Sequence, residues 1–255
     1  MHEKTIQLGD RQITRMGLGT NRLIATPENV AFLRAATDAG LGMVDTAHLY
    51  TGGSSEETVG QALSPLDGPR VVATKGGFRP GEGKPDVLRA QIGESLRLLR
   101  APRIPLWYLH RVDPETPLET SLAVVREYVD AGKIGLVGIS DVTISQIERA
   151  RAVLPIAAVQ NQYHLSNRTH DDVIDYCERE GIVFVPFSPL HGEHPAVAGI
   201  AAAHGATEAQ ITLAWLLHRS PAVLPIPGSL SIDHVRENLA ALDIELADDE
   251  YVSLS

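Results

Sequence analysis

LGMVDTAHLYTGGSSEETVGQALSPLDGPRVVATKGG, residues 41–77, reads as strand, helix, strand. Met43–Thr46 and Val71–Thr74 are short runs carrying β-branched residues, the signature of strands buried on both faces. Each brings a charged residue to its C-terminal end, Asp45 in the first and Lys75 after the second. Between them Ser54 and Glu57 have the spacing of a capping box, which starts a helix. Two strands joined through a helix pair in parallel by a right-handed crossover.

The same alternation extends in both directions. Further strands are expected at Met16–Gly19, Leu106–Leu109, Leu136–Ile139, Ala157–Val159, Val183–Phe187 and Val223–Ile226, which makes eight in all. Thr26 before Pro27 opens a helix that Gly40 ends. Thr116 with Glu119 and Thr207 with Gln210 repeat the capping-box spacing, and Gly132 and Gly181 stand where helices stop. Leu88, Ile92, Leu96 and Leu99 form one helical face, as do Leu118, Leu122, Val125 and Val129. The last helix is expected to begin at Ser231 and to bury Val235, Leu239 and Leu242. Ahead of the alternation, TIQL and QITRM flank Gly9-Asp10-Arg11 as a hairpin. Eight parallel strands in 255 residues predict a (β/α)₈ TIM barrel with an N-terminal β-hairpin, residues 1–255 forming one domain; a doubly wound sheet is the alternative.

A formal net charge of −10 argues for a soluble protein and against a nucleic-acid partner, which needs a basic stripe. MHEKTIQLGD has no apolar core of a signal peptide, and no apolar run is long enough to span a membrane. Cys177 is the only cysteine, so no intrachain disulfide forms, a cytoplasmic location is expected, and its place on a helix-like pattern suggests packing.

In such a barrel, chemistry sits where the strands end at their C-terminal face. Asp45, Lys75, His110, Ser140-Asp141 and Gln160 all fall there, with Tyr50 just beyond Asp45 and the Gly/Pro-rich segment 76–86 on the same face. A free tyrosine, with a pKa near 10, is a poor acid at neutral pH. A lysine ammonium beside it favours the phenolate, and a carboxylate keeps that lysine charged. Asp45, Lys75 and Tyr50 thus compose a proton-transfer device, and His110 can bond the oxygen receiving the proton. The set holds neither a nucleophile nor a metal shell, and a hydride must come from a cofactor. Trp107 is expected to face the helices if Tyr108 and His110 face the barrel. For His48, substrate contact and solvation are both open, and the remaining histidines read as surface residues.

The ordered segments MGLGT (16–20), VDTAHLY (44–50), SEETVG (55–60), ATKGG (73–77), YLHRVDP (108–114), AGKIGLVGIS (131–140), VQNQY (159–163), VPFSPL (185–190), LAWLL (213–217) and IPGSLSIDHVRENLAAL (226–242) resemble the aldo-keto reductase family nearly end to end. The resemblance implies interconversion of aldehydes or ketones with alcohols, with Asp45, Tyr50, Lys75 and His110 as the catalytic set and Tyr50 as general acid/base. It implies NADPH as cofactor, with NADH use possible, and a small-molecule carbonyl or alcohol substrate, in a monomer or small homo-oligomer. Thr20, Ser140, Asp141 and Gln160 would meet the nicotinamide end, Phe187 would stack on its ring, and Ser188 and Leu190 would follow the pyrophosphate. Gly228, Ser229, Ser231, His234, Glu237 and Asn238 would form the adenosine and 2′-phosphate end. Four positions depart from the family pattern. Asp141 replaces the usual asparagine and Thr51 a common glycine, while Gly228 and His234 stand where lysine and arginine are frequent, leaving Arg236 as the nearby cation. Two rival readings remain: a cofactor-binding sensor barrel, and a metal-dependent hydrolase using Asp45 and His110 with His48 or His164. Against the second, no strand carries two histidines at ligand spacing.

Overall fold

The computed structural model describes residues 3–254; Met1 and His2 of the N-terminal segment read above, and Ser255, lie outside the described residues. A hairpin of β1 (Thr5–Leu8) and β2 (Arg11–Thr14) precedes a parallel sheet. That sheet runs in chain order through β3 (Gly17–Gly19), β4 (Met43–Asp45), β5 (Val71–Gly76), β6 (Ile104–Leu109), β7 (Ile134–Ser140), β8 (Ala158–Gln160) and β9 (Val183–Phe184). The crossovers hold α1 (Pro27–Asp38), α2 (Ser54–Leu63), α3 (Pro85–Leu98), α4 (Leu118–Asp130), α5 (Ile144–Arg151) and α6 (Asp171–Glu180). Then follow α7 (Val197–His204), α8 (Glu208–Arg219), α9 (Ile232–Ala240) and α10 (Asp248–Ser253). The expected last helix is therefore followed by another short one.

The eighth expected strand, Val223–Ile226, is not a regular strand, because Pro225 and Pro227 deny it donors. It still closes the barrel. Leu224 N–H donates to the Phe184 carbonyl at 2.8 Å on one side, while Gly17 and Gly19 donate to the carbonyls of Pro225 and Pro227 at 2.9 and 3.2 Å on the other. The fully buried Arg15 reinforces the seam, donating to the carbonyls of Val223, Leu217 and Ser220. Burial lowers this guanidinium's pKa to about 10, with Glu3 opposing.

Strand alternation divides the core into two layers. Met43, Val71, Ala73, Leu106, Tyr108, Ala158 and Val185 fill the barrel with Leu8 and Ile13 from the hairpin. Trp107 and Leu109 instead join the layer between strands and helices, as the alternation requires. Glycine at 138 makes room for the Tyr108 ring, which would lie 2.3 Å from a Cβ there. Cys177 is buried in the outer layer, its thiol pushed up to about 12 by burial.

Thr26 and Thr207 cap α1 and α8 as expected, the latter in a full capping box with Gln210. Two other expected boxes do not form. Ser54 accepts instead from the Ala25 N–H at 2.7 Å, tying α2 to the loop after β3. Thr116 donates to Asp113, and α4 starts after Pro117. An unforeseen box at Thr143 and Gln146 opens α5.

Candidate active site

The strand ends converge as the barrel geometry dictates. Lys75, one residue before the end of β5, is wholly buried, and its ammonium donates to Asp45 Oδ2 at 2.6 Å, to the Thr46 carbonyl at 2.9 Å and to the Tyr50 hydroxyl at 3.3 Å. Its three N–H groups thus meet three acceptors. Burial alone would lower the lysine pKa, but Asp45 and Tyr50 outweigh it and the net shift is upward. Asp45 spends its other oxygen on Gln160 Nε2 at 2.9 Å.

Tyr50 begins a short 3₁₀ turn at the rim of a cavity of about 520 Å³. The next residue, Thr51, is left-handed at φ 49°, which explains why glycine suits this position. Its hydroxyl donates to the Leu23 carbonyl at 2.8 Å and holds the turn in place. Tyr108, on the barrel side of β6, is the contrasting phenol. Burial, then the Asp45 charge, raises its pKa well above the ordinary tyrosine value. It has no ammonium partner and remains a protonated floor to the site.

His110 follows β6 beside Tyr50, with ring centroids 6.0 Å apart. Burial, aided by Lys75 and Arg111, pushes its imidazole down to about 2. The folded protein therefore keeps His110 neutral at every ordinary pH, while the unfolded chain protonates it near 6.5. Its folded pKa lies below the unfolded value, so this residue withdraws stability as pH falls below about 6.5. Replacing it with glutamine should shift the stability difference by about 2 kcal/mol in the variant's favour between pH 7.5 and 5. Urea unfolding of both proteins at the two pH values checks this; a pH-independent difference contradicts it.

The expected site residues divide into two groups. Asp45, Tyr50, His110, Thr20, Ser140, Asp141, Gln160, Phe187, Ser188, Leu190 and Gly228 all line the one cavity, with Lys75 beneath. Asp141 and Ser188 hold left-handed backbones, φ 58° and 54°, so the replacement of asparagine by aspartate at 141 keeps a residue that tolerates this geometry. Ser229, Ser231, His234, Glu237 and Asn238 lie outside the lining, just past Gly228. Ser231 caps α9, and His234 is exposed. Glu237 accepts from the Thr207 hydroxyl and Asn238 is buried. Arg236 pairs with Asp233 at 3.4 Å.

Sequence reasoning missed Arg22, Phe78, Arg111 and His191, which also line the cavity. Phe78 and Arg111 stand one to three residues past the marked strand ends, the signal that could have found them. His48 makes no part of the cavity and is only partly solvated. Its Nδ1 lies 3.8 Å from Glu56 Oε2, and that buried carboxylate raises its pKa against the pull of burial. His164 is buried rather than superficial, because a tight turn bridging to Asn167 folds it inward beside the His191 ring.

Among the described residues no three His, Cys, Asp or Glu side chains gather as a metal site, and no helix is long and apolar enough to cross a membrane. The donor set fits a different occupant. A cavity with a hydroxyl, a carboxylate, a side-chain amide and an aromatic face suits a nicotinamide ring bearing a carboxamide.

Comparison with known proteins agrees with this geometry. The chain is 34% identical to an uncharacterized oxidoreductase of Schizosaccharomyces pombe, covering 98% of this chain and 88% of that protein. It is 32% identical to the pyridoxine 4-dehydrogenase of Escherichia coli, covering 98% and 96%. An aldo-keto reductase from Klebsiella pneumoniae, solved in complex with NADPH, superposes with a TM-score of 0.89 at 31% identity, covering 100% of this chain and 94% of that one. The sequence model of the aldo/keto reductase family matches residues 15–196 and 193–255, and this protein, an oxidoreductase, belongs to that family.

Proposed function

We propose that the protein interconverts aldehydes or ketones with alcohols using NADP(H), with Tyr50 as the proton donor and acceptor. The observation that carries this reading is the ammonium of Lys75, buried between Asp45 and the Tyr50 hydroxyl at the cavity wall. In the reductive direction Tyr50 passes its proton to the substrate oxygen. Lys75 then faces the negative phenolate oxygen and stabilises it. Asp45 holds the lysine charged, and neutral His110 is placed to hydrogen-bond the substrate oxygen. The cofactor, when bound, supplies or takes the hydride. Ser140, Asp141 and Gln160 would hold its carboxamide, Phe187 its ring and Ser188 and Leu190 its pyrophosphate.

The Klebsiella neighbour holds NADPH, and Ser229 and Ser231 at the start of α9 suit a phosphate. The absent cations at 228 and 234 weaken that choice. We expect NADPH to be preferred to NADH by a modest factor, on the order of tenfold, the scale of a favourable helix-terminus interaction. Steady-state reduction of a reactive aldehyde with each cofactor tests both points. Absence of any aldehyde-dependent NADPH oxidation, including in a single turnover, overturns the enzyme reading in favour of a cofactor sensor. Equal use of NADH overturns only the cofactor choice, and His234→Ala beside Arg236→Ala shows which side chain meets the phosphate.

A further inference from the structure

We infer that Arg111 is an anion-recognition residue, and that the substrate carries a carboxylate away from its reacting carbonyl. This rests on the reductase reading above and adds the substrate class to it.

The guanidinium lies in the same cavity as Tyr50 and His110. It is fixed on two sides. Its carbon stands 4.6 Å over the Phe78 ring, and its Nε faces Asp141 Oδ2 at 3.4 Å. Neither terminal amino group has a hydrogen-bond partner among the described residues. A half-exposed planar fork of donors is thus bordered by a ring and a carboxylate with its two ends unspent, the geometry that binds a carboxylate bidentately.

The support beneath it is also built. The Asp113 carboxylate accepts from the N–H groups of Gly81, Gly83 and Glu115 and from the Thr116 hydroxyl. It pins the loop after β5 to the loop after β6. Glu82 accepts from the N–H groups of Phe78 and Arg79, which ties down the backbone that carries the Phe78 ring. Arg111 itself donates its backbone N–H to the Gly77 carbonyl at 3.1 Å. An arginine needed only for solubility requires no such platform. Pre-ordering it removes much of the entropy lost when a ligand orders a long side chain.

The charge balance points the same way. Lys75 is neutralised by Asp45, and His110 is neutral, so neither offers charge to a second substrate group. Asp141 offsets part of the Arg111 charge, but Arg22 lines the same cavity and, among the described residues, makes one 3.5 Å hydrogen bond, to the Gly228 carbonyl. A protein with net charge −10 therefore presents cationic donors at the mouth of its site. The Asp141 pair also sets a limit: the carboxylate of Asp141 competes with the substrate's, so this recognition is tuned below its full strength.

The test compares matched aldehydes, 3- and 4-carboxybenzaldehyde against 3- and 4-nitrobenzaldehyde, with NADPH, in wild type and Arg111→Gln. The ratio of kcat/KM within each pair cancels general damage to the site. We expect the wild type to favour the better-placed carboxylate, and Arg111→Gln to lower that ratio by about ten- to a hundredfold, mainly through KM. Asp141→Asn should raise it. A ratio unchanged by Arg111→Gln overturns the inference, as does a variant that alters the NADPH/NADH ratio instead, which assigns the guanidinium to the cofactor. If no aldehyde of either kind is reduced, the reductase reading fails. Benzoate binding to the NADP⁺-loaded protein then decides the anion site, with at least tenfold weakening by Arg111→Gln supporting it and equal binding refuting it.

Discussion

Tyr50→Phe should lower kcat by on the order of 10²–10⁴-fold while leaving cofactor affinity within a small factor. The substitution removes one oxygen from the rim of the cavity and leaves the ring, and the Lys75 ammonium keeps Asp45 and the Thr46 carbonyl as acceptors. Nothing buried loses its charge partner, so the loss belongs to proton transfer rather than to folding. Cofactor fluorescence titration and single-turnover rates separate the two. Near-normal turnover in the variant would reassign the proton donor. Tyr108 is no substitute, since burial holds its proton and no cation faces it.

Lys75→Met should damage both stability and rate. It leaves the Asp45 carboxylate in the core with only the Gln160 amide beside it. An uncompensated buried charge of this kind costs about 3–5 kcal/mol. Asp45→Asn combined with Lys75→Met removes both charges and should recover most of that stability. It should not recover activity, because the cation facing the Tyr50 oxygen is still missing. Urea unfolding and kcat on the same three proteins distinguish the outcomes. An active double variant would show that the ion pair is only structural.

The sequence exposed the four central side chains for a physical reason. Asp45 and Lys75 mark the ends of short runs carrying β-branched residues, His110 follows the apolar run 106–109, Tyr50 lies just beyond Asp45, and the barrel forces every such run to end on one face. Arg111 and Phe78 were invisible for the opposite reason. Their meeting depends on how two loops are pinned together by Asp113, and no periodicity records a contact between residues 30 positions apart. Ser54 and Thr116 had the right spacing for caps, but Ser54 found a tertiary partner in the Ala25 N–H and Thr116 a charged local one in Asp113. His48 failed similarly: its neighbours in the chain suggested the cavity, whereas Glu56, one helical turn into the next element, drew it away. The eighth strand was placed correctly by its apolar run and mistaken in its regularity, because Pro225 and Pro227 count as apolar spacing but not as donors.

Those two prolines have a mechanical meaning. Elsewhere around the barrel, neighbouring strands are woven together, each giving and taking hydrogen bonds. Where β3 meets residues 225–227 the exchange runs one way, from Gly17 and Gly19 to proline carbonyls, and the Arg15 side chain clasps the joint from below. The cylinder is therefore a continuous strip fastened by a buckle. At its upper end Gly228, bridged to Gly19, borders the cavity, while Arg15 holds the lower end shut. The cavity wall at residues 225–227 is thus held by donors from one side only, unlike the strands that carry Asp45 and Lys75.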